Sequence, residues 1–189
     1  MAAPRCAVLG LLLGLAASAA QAGEIEALAR EAEAKAQAGQ HVEAFNALRN
    51  ALTTLNANAP LGFRKVTFVA KPPQGFGLYE PRPDAAFRRG EPLIVYTEPI
   101  GLAWRPEGER FNAQFTVDFE LRSPKGEILT GQKEFGKFGF DSRERNLDVM
   151  AHLNINLTGA PAGDYVFAAT FHDKVSGKQA SFDLPFSIK

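Results

Sequence analysis

The side chains that could carry chemistry are few and do not converge along the chain. The histidines are His41, His152 and His172, and no two of them have metal-ligand spacing. No HExxH, CxxC, GxSxG or phosphate-loop pattern occurs. The single cysteine, Cys6, cannot by itself make a disulfide or a cysteine-rich zinc site. Glu80, Glu91, Glu98, Glu107 and Glu109 lie in or near segments that read as loops, where two converging carboxylates would supply the acid–base pair of a hydrolase. Nothing in their spacing selects a pair, and no serine has a recognisable base and orienting group. The expectation is therefore no catalytic set, no metal and no cofactor. An envelope hydrolase is the alternative that two acidic residues in one concave pocket would revive.

A different chemistry is written in segments that combine aromatics, glycines and arginines. Residues 75–83 contain Phe76, Tyr79 and Arg82 and lead to Phe87, Arg88 and Arg89; residues 98–106 contain Trp104 and Arg105; residues 135–145 contain Phe135, Phe138, Phe140, Arg143 and Arg145. Tyrosine, tryptophan and arginine are enriched at binding hot spots, and an aromatic face beside a guanidinium can stack a sugar or hold an anion. Phe76, Tyr79, Arg82, Trp104 and Arg105 are accordingly the candidate binding residues. The competing reading is structural, with the aromatics plugging the ends of a core and the arginines forming a solvated rim beside Asp84, Glu91, Asp141 and Glu144.

The elements that must position these residues begin after an export signal. Arg5 is the only charge before Glu24, residues 6–20 are uncharged and largely apolar, and Ala20-Gln21-Ala22 has the small-x-small form of a cleavage site. The run is shorter than the roughly 20 apolar residues a spanning helix needs. Residues 1–22 are therefore expected to be removed, leaving no membrane span. Arg5 and Cys6 leave with them, so the mature chain holds no cysteine and one net negative charge. An exported chain without disulfides reads as bacterial, periplasmic or secreted. Its 189 residues carry 21 Lys+Arg against 21 Asp+Glu, so no global basic field exists to hold nucleic acid or an anionic membrane.

Composition then changes at Pro60. Residues 23–60 are rich in alanine and hold one phenylalanine; 14 of the 15 phenylalanines follow Leu61. The first region predicts two antiparallel helices over about residues 24–37 and 41–56, broken at Gly39, with Phe45, Leu48, Leu52 and Leu55 at helical spacing. The second region, 61–189, alternates with the period of strands: Phe111, Ala113, Phe115, Val117, Phe119 and Leu121 on one face, a turn at Ser123-Pro124-Lys125-Gly126, then further runs at 127–133, 147–157, 165–171 and 182–188. With 64–70 and 92–98 these make about seven strands, each long one with an apolar face, which predicts two antiparallel sheets packed on one another. On that plan His172 approaches Asp118 or Gln114 if its strand lies beside residues 111–121.

Two resemblances follow. Leu28, Ala32, Gly39, Ala44, Leu48 and Ala51 resemble a single tetratricopeptide repeat, although Glu31, Lys35 and His41 stand where that family has large residues. A lone repeat cannot bury its own face, so the hairpin is expected to lie against the second region or another copy of the protein. Residues 157–178, with Tyr165 at the position of a corner tyrosine, resemble the end of an immunoglobulin-like or fibronectin-like bacterial β-sandwich. Such a likeness implies a fold and no function. The functional expectation is a non-enzymatic binding protein of the cell envelope whose partner is a protein or peptide held by sandwich loops; the alternative is a carbohydrate or small-ligand module that stacks on Tyr79 and Trp104.

Overall fold

A computed structural model describes residues 9–189, with side chains from Gly23 onward; the part of the expected signal that precedes Leu9, and the side chains up to Ala22, lie outside the described residues. The chain divides into two compact units, one ending at Asn58 and one beginning at Ala59. Among the described residues no helix is long and apolar enough to cross a membrane.

The first unit is a pair of helices, α1 (Leu9–Gln37) and α2 (His41–Asn58). The first helix starts inside the segment assigned to the signal, and its backbone continues without a break across Ala22. It stops in a Schellman arrangement: Gln40 N–H donates to Lys35 O at 2.9 Å and Gly39 N–H to Ala36 O at 3.0 Å, with Gly39 at φ +76°. Only glycine adopts that left-handed conformation without steric cost, which is why the break falls there. The buried side chains are Ala32 of α1 and Ala44, Ala47 and Ala51 of α2, short enough for the helices to approach closely. The large apolar residues of α2 lie elsewhere: Val42, Phe45, Leu48, Leu52 and Leu55 are each more than half exposed.

The second unit contains nine strands: β1 (Gly62–Phe68), β2 (Ala86–Phe87), β3 (Leu93–Ile100), β4 (Arg105–Glu107), β5 (Arg110–Arg122), β6 (Ile128–Ser142), β7 (Ala151–Ile155), β8 (Gly163–Asp173) and β9 (Gln179–Ile188). Seven have five or more residues; the two beyond the sequence expectation, β2 and β4, have two and three. One sheet has the order β1-β3-β7. The other runs β2-β9-β8-β5, with β6 on the far edge of β5 and β4 continuing the β8 edge past the end of that strand; it curls into a half-barrel. Pairing is antiparallel except for β2, which lies parallel to the end of β9.

One core draws on both sheets. Phe68, Leu93, Val95, Leu153 and Ile155 come from the smaller sheet, and Phe115, Val117, Phe167, Phe171 and Phe186 from the larger. These are the residues the period-two pattern places on one face. The rings form a connected set. Phe115 stacks on Phe138 at 4.9 Å and Phe171 at 5.3 Å, Phe63 of β1 meets Phe171 and Phe182 edge-on at 4.9 and 5.0 Å, and Phe68 meets Phe87 at 5.2 Å. Tyr165 OH donates to Pro161 O at 2.8 Å, the bond expected of a corner tyrosine.

Two stretches depart from the expected plan. Residues 135–142 belong to β6 and are not a loop. Gly136 and Gly139 look like turn residues in sequence, but Phe138 and Phe140 alternate inward opposite Phe115 and Ala113. At Gly136 an added Cβ would lie 2.7 Å from the Phe138 ring and 3.3 Å from Leu153, so glycine there makes room within the sheet. Residues 147–150, expected as strand, precede β7, which is confined to Ala151–Ile155.

Gly101, at φ +78°, shows the tightest backbone approach: a Cβ there would sit 2.1 Å from Pro60 O. Lys178 Nζ donates to the carbonyls of Ala59 at 2.7 Å and Gly101 at 3.1 Å, fastening the same crossing. Replacing Gly101 with Ala is expected to destabilise the fold by about 2 kcal/mol or more, through both the left-handed φ and the collision. Thermal unfolding of Gly101→Ala beside wild type checks this; an unchanged Tm would show that the crossing yields at no cost.

Candidate functional site

The candidate residues are best located from β3, which is buried on both faces. Leu93 and Val95 point into the common core, whereas Ile94, Tyr96 and Glu98 point the other way and are just as buried. Their cover is a strap formed by residues 70–85, which folds back over the outside of the three-stranded sheet. Val69 bridges to Pro81, Ala70 N–H donates to Glu80 O at 2.9 Å, and Arg82 N–H donates to Phe68 O at 3.0 Å. Val69, Ile94 and Tyr96 form a second, smaller apolar cluster with Tyr79 and Met150 packed against it.

Phe76 and Tyr79 belong to this cover. Tyr79 stacks on Tyr96 with ring centres 4.1 Å apart, so one of its faces is already occupied. The Arg64 guanidinium lies over the Phe76 ring at 4.9 Å. Beneath them runs a polar chain that the sequence reading missed. Gly77 N–H donates to Tyr96 OH at 2.8 Å, Tyr96 OH donates to Glu98 Oε1 at 2.6 Å, and Arg64 Nη2 is 2.5 Å from Glu98 Oε2. Glu98 is only 2% exposed, and a buried carboxylate needs such partners. The available signal was Tyr96 and Glu98 two residues apart, hence on one face of a strand. In the sequence Glu98 ends the 92–98 run and opens the 98–106 segment, so it reads as a carboxylate at a loop edge.

The other three candidates are not part of that group. Arg82 is largely buried further along the strap, where Nη1 donates to Glu91 Oε1 at 2.5 Å, Nη2 donates to Ala86 O at 2.7 Å, and the guanidinium covers the Phe87 ring at 4.1 Å. Trp104 is half-buried against the core near Phe140, with ring centres 6.4 Å apart, and Arg105 is exposed on β4. The Trp104 segment is held at its base by Asp173, a buried carboxylate absent from the sequence reading. Asp173 Oδ2 accepts from Ala103 N–H at 2.8 Å and Ser176 Oγ–H at 2.7 Å, and Oδ1 accepts from Val175 N–H at 2.8 Å. Phe76 and Tyr79 are thus brought together, whereas Arg82 and the Trp104–Arg105 pair each have different neighbours.

Of the carboxylates considered for hydrolysis, Glu80 pairs with Lys71, Glu91 with Arg82, Glu98 with Arg64 and Glu109 with Arg143. Among the described residues no group of three or more His, Cys, Asp or Glu is arranged to hold a metal ion. His172 does approach Asp118, its Nε2 3.0 Å from Oδ2, on the polar face of adjacent β5 and β8. Oδ1 of Asp118 accepts from Glu134 N–H at 2.7 Å, where β6 bulges and Glu134 takes φ +48°. Burial pulls the Asp118 carboxyl upward, but the Glu134 N–H, His172 and Lys133 outweigh it and hold it below the usual carboxylate range.

Two pH effects follow. Burial, reinforced by the bond to Glu98, pushes the Tyr96 phenol up to about 12 from 10.0. Because the folded value is the higher one, the contribution of Tyr96 is complete below pH 10 and is lost as the pH climbs toward 12. Phenolate absorbance should show one of the three tyrosines ionising near pH 12, a step absent from Tyr96→Phe; superimposable titrations would contradict it. Asp118 behaves oppositely: its contribution is present above an unfolded value of about 4 and is lost as the pH falls through its folded one. Chemical denaturation between neutral and acid pH should show Asp118→Asn with a shallower acid loss of stability than wild type.

No protein-family model matches the chain, and no curated protein matches it. Among solved structures, it is similar to the alkylpurine DNA glycosylase AlkC of Pseudomonas fluorescens, bound to DNA containing an abasic-site analogue. That match has 10% identity and TM-score 0.39 and covers 80% of this chain; the chain spans 38% of the glycosylase. It is also similar to two structures of the superoxide reductase neelaredoxin from Ignicoccus hospitalis. Both have 9% identity, cover 67% of this chain and 82% of the reductase, and have TM-scores of 0.36 and 0.34. Likenesses of this strength carry no functional argument, and the reading rests on the chain's own surfaces.

Proposed function

We propose that this chain is an exported, non-enzymatic interaction protein of the bacterial cell envelope, and that it binds a partner protein presenting an apolar helix. The observation that carries the reading is the exposed seam of α2. Phe45, Leu48, Leu52 and Leu55 follow one another at intervals of three, four and three residues, with Val42 extending the line, and each is more than half exposed. A 3-4-3 stripe is the spacing by which one helix receives another, knobs into holes. From Val42 to Leu55 it spans about 20 Å, and a contiguous exposed apolar stripe of that kind marks an interaction site. Beside it lies a groove of about 400 Å³ lined by Ala29, Ala32, Ala36, Ala44, Phe45 and Leu48, among others. Its short side chains suit the close approach of a third helix.

The seam is favoured over the aromatic loops because Phe76, Tyr79 and Trp104 are half-buried, and Tyr79 and Trp104 pack against other rings. For the second unit we infer an immunoglobulin-like sandwich, supported by seven strands of five or more residues and by the Tyr165–Pro161 bond. Export rests on the apolar run ending at Ala20-Gln21-Ala22.

The protein recovered from the periplasm or medium should begin at Gly23; recovery of the uncleaved chain in the cytoplasm would refute export. A photo-cross-linker placed at Leu52 in intact cells should give a discrete product with a different protein. Leu48→Asp, at an exposed position, should remove that product while leaving circular dichroism unchanged. Cross-linking that survives Leu48→Asp but fails in Tyr79→Ala/Trp104→Ala would return the interface to the loops.

A further inference from the structure

The strap ends in a cleft of about 760 Å³, lined chiefly by charged residues: Arg82, Arg88, Arg89, Asp84, Glu91 and Lys189. Four basic side chains face two acidic ones, and the partners of the acidic pair sharpen the difference. Glu91 is committed on both oxygens: Oε1 accepts from Arg82 Nη1 at 2.5 Å, and Oε2 accepts from the backbone N–H of Arg88 at 2.9 Å. The Arg88 N–H above all, then Arg82 and the charge of Arg88, hold the Glu91 carboxyl below the usual range against the opposing effect of burial. Asp84 Oδ1 accepts from Ala86 N–H at 3.1 Å and stands 3.9 Å from Arg82 Nη2. Glu91 is therefore spent on Arg82 and the local backbone, whereas Asp84 stays largely exposed with its Oδ1 on the Ala86 N–H.

Between Arg88 and Glu91 the chain makes a tight turn, Glu91 N–H donating to Arg88 O at 3.0 Å with Gly90 at φ +77°. The turn exposes two consecutive arginines, and neither guanidinium has a salt bridge among the described residues. Arg82 is fixed behind them by Glu91, Ala86 O and the Phe87 ring, and its Nε is buried without a partner. Adjacent unpaired guanidiniums on an anchored turn, backed by a third, are matched by a compact oxyanion that accepts several N–H bonds at once.

We propose that this cleft binds a phosphate group, with Arg88 and Arg89 as the binding residues and Arg82 and Glu91 as positioning residues. Sequence reading placed Arg82 among the contact residues; its geometry makes it the support on which the contact residues stand. The site is independent of the α2 seam and of any protein partner. A phosphate could come from a free ester or from a lipid headgroup, and the chemistry of the cleft is the same for both.

The test is calorimetric titration of the full mature protein with pyrophosphate at fixed ionic strength, alongside Arg88→Ala/Arg89→Ala and Arg143→Ala/Arg145→Ala. The second pair removes the same charge from another exposed site. Wild type should bind, the Arg88/Arg89 variant should bind at least about tenfold more weakly, and the Arg143/Arg145 variant should stay within about twofold of wild type. Equal losses in both variants, full binding by the Arg88/Arg89 variant, or no binding by wild type would each overturn the proposal. Co-sedimentation with phosphatidylglycerol vesicles that requires Arg88 and Arg89, and is absent with phosphatidylcholine, would identify a headgroup phosphate as the source. Pyrophosphate binding without co-sedimentation would identify a free one.

Discussion

Strand β3 has no solvent face, and much of the second unit follows from that constraint. Val95 and Tyr96, neighbours in sequence, point to opposite sides of the sheet and are both fully buried. A three-stranded sheet with one face on the common core needs something over its other face, and residues 70–85 provide it. The cover is held less by apolar area than by one polar chain: Gly77 N–H to Tyr96 OH, Tyr96 OH to Glu98, and Glu98 to Arg64. Each buried polar atom in that chain has a partner, which is the condition under which a buried carboxylate specifies a structure instead of weakening it. The same strap carries Arg82 to Glu91 and so sets the turn that presents Arg88 and Arg89.

A second buried carboxylate organises the opposite part of the unit. Asp173 closes the β8–β9 turn through Val175 and Ser176, and it also receives the N–H of Ala103 from the segment after β3. Lys178 reaches back from the same turn to Ala59 and Gly101. Trp104 therefore leaves an anchored base and packs toward Phe140, and the segment is too constrained to serve as a free binding loop. In both places an aromatic residue that looks like a recognition element is held by a carboxylate tied to backbone N–H groups or to a cation.

Much of the strand plan was legible in the sequence because alternation is a strong signal when one face of each strand is buried. Residues 111–121, 165–171 and 182–188 read correctly as strands for that reason. The errors fall where glycine or double-sided burial breaks the pattern. Gly136 and Gly139 made the second half of β6 look like a loop, although glycine at 136 answers a shortage of space. Strand β3 reads as a continuous apolar run, Leu93 to Tyr96, which says that it is buried but not by what. The candidate site was less legible. Phe76 and Tyr79 were named as candidates in one segment with Arg82, but their partners Arg64, Tyr96 and Glu98 lie on two other strands, and no spacing rule links residues brought together by a strap crossing a sheet.

On α2, helical periodicity correctly joins Phe45, Leu48, Leu52 and Leu55, yet those residues are exposed while the alanines one position before Phe45, Leu48 and Leu52 are buried. The reason is that an alanine interface brings two helices too close for leucine-sized side chains, which are then displaced to the flank of the hairpin. Such a helix pair has two apolar surfaces, a narrow one used internally and a broad one left over. The broad one is built on Val42, Phe45, Leu48, Leu52 and Leu55, and burying it against another helix removes apolar area from water, worth about 25 cal/mol per Å². The cationic turn at Arg88 and Arg89 has the reverse character, carrying charge without apolar area. One surface is suited to a protein partner and the other to an anion, and because they belong to separate compact units, a substitution at either is free to act without altering the other.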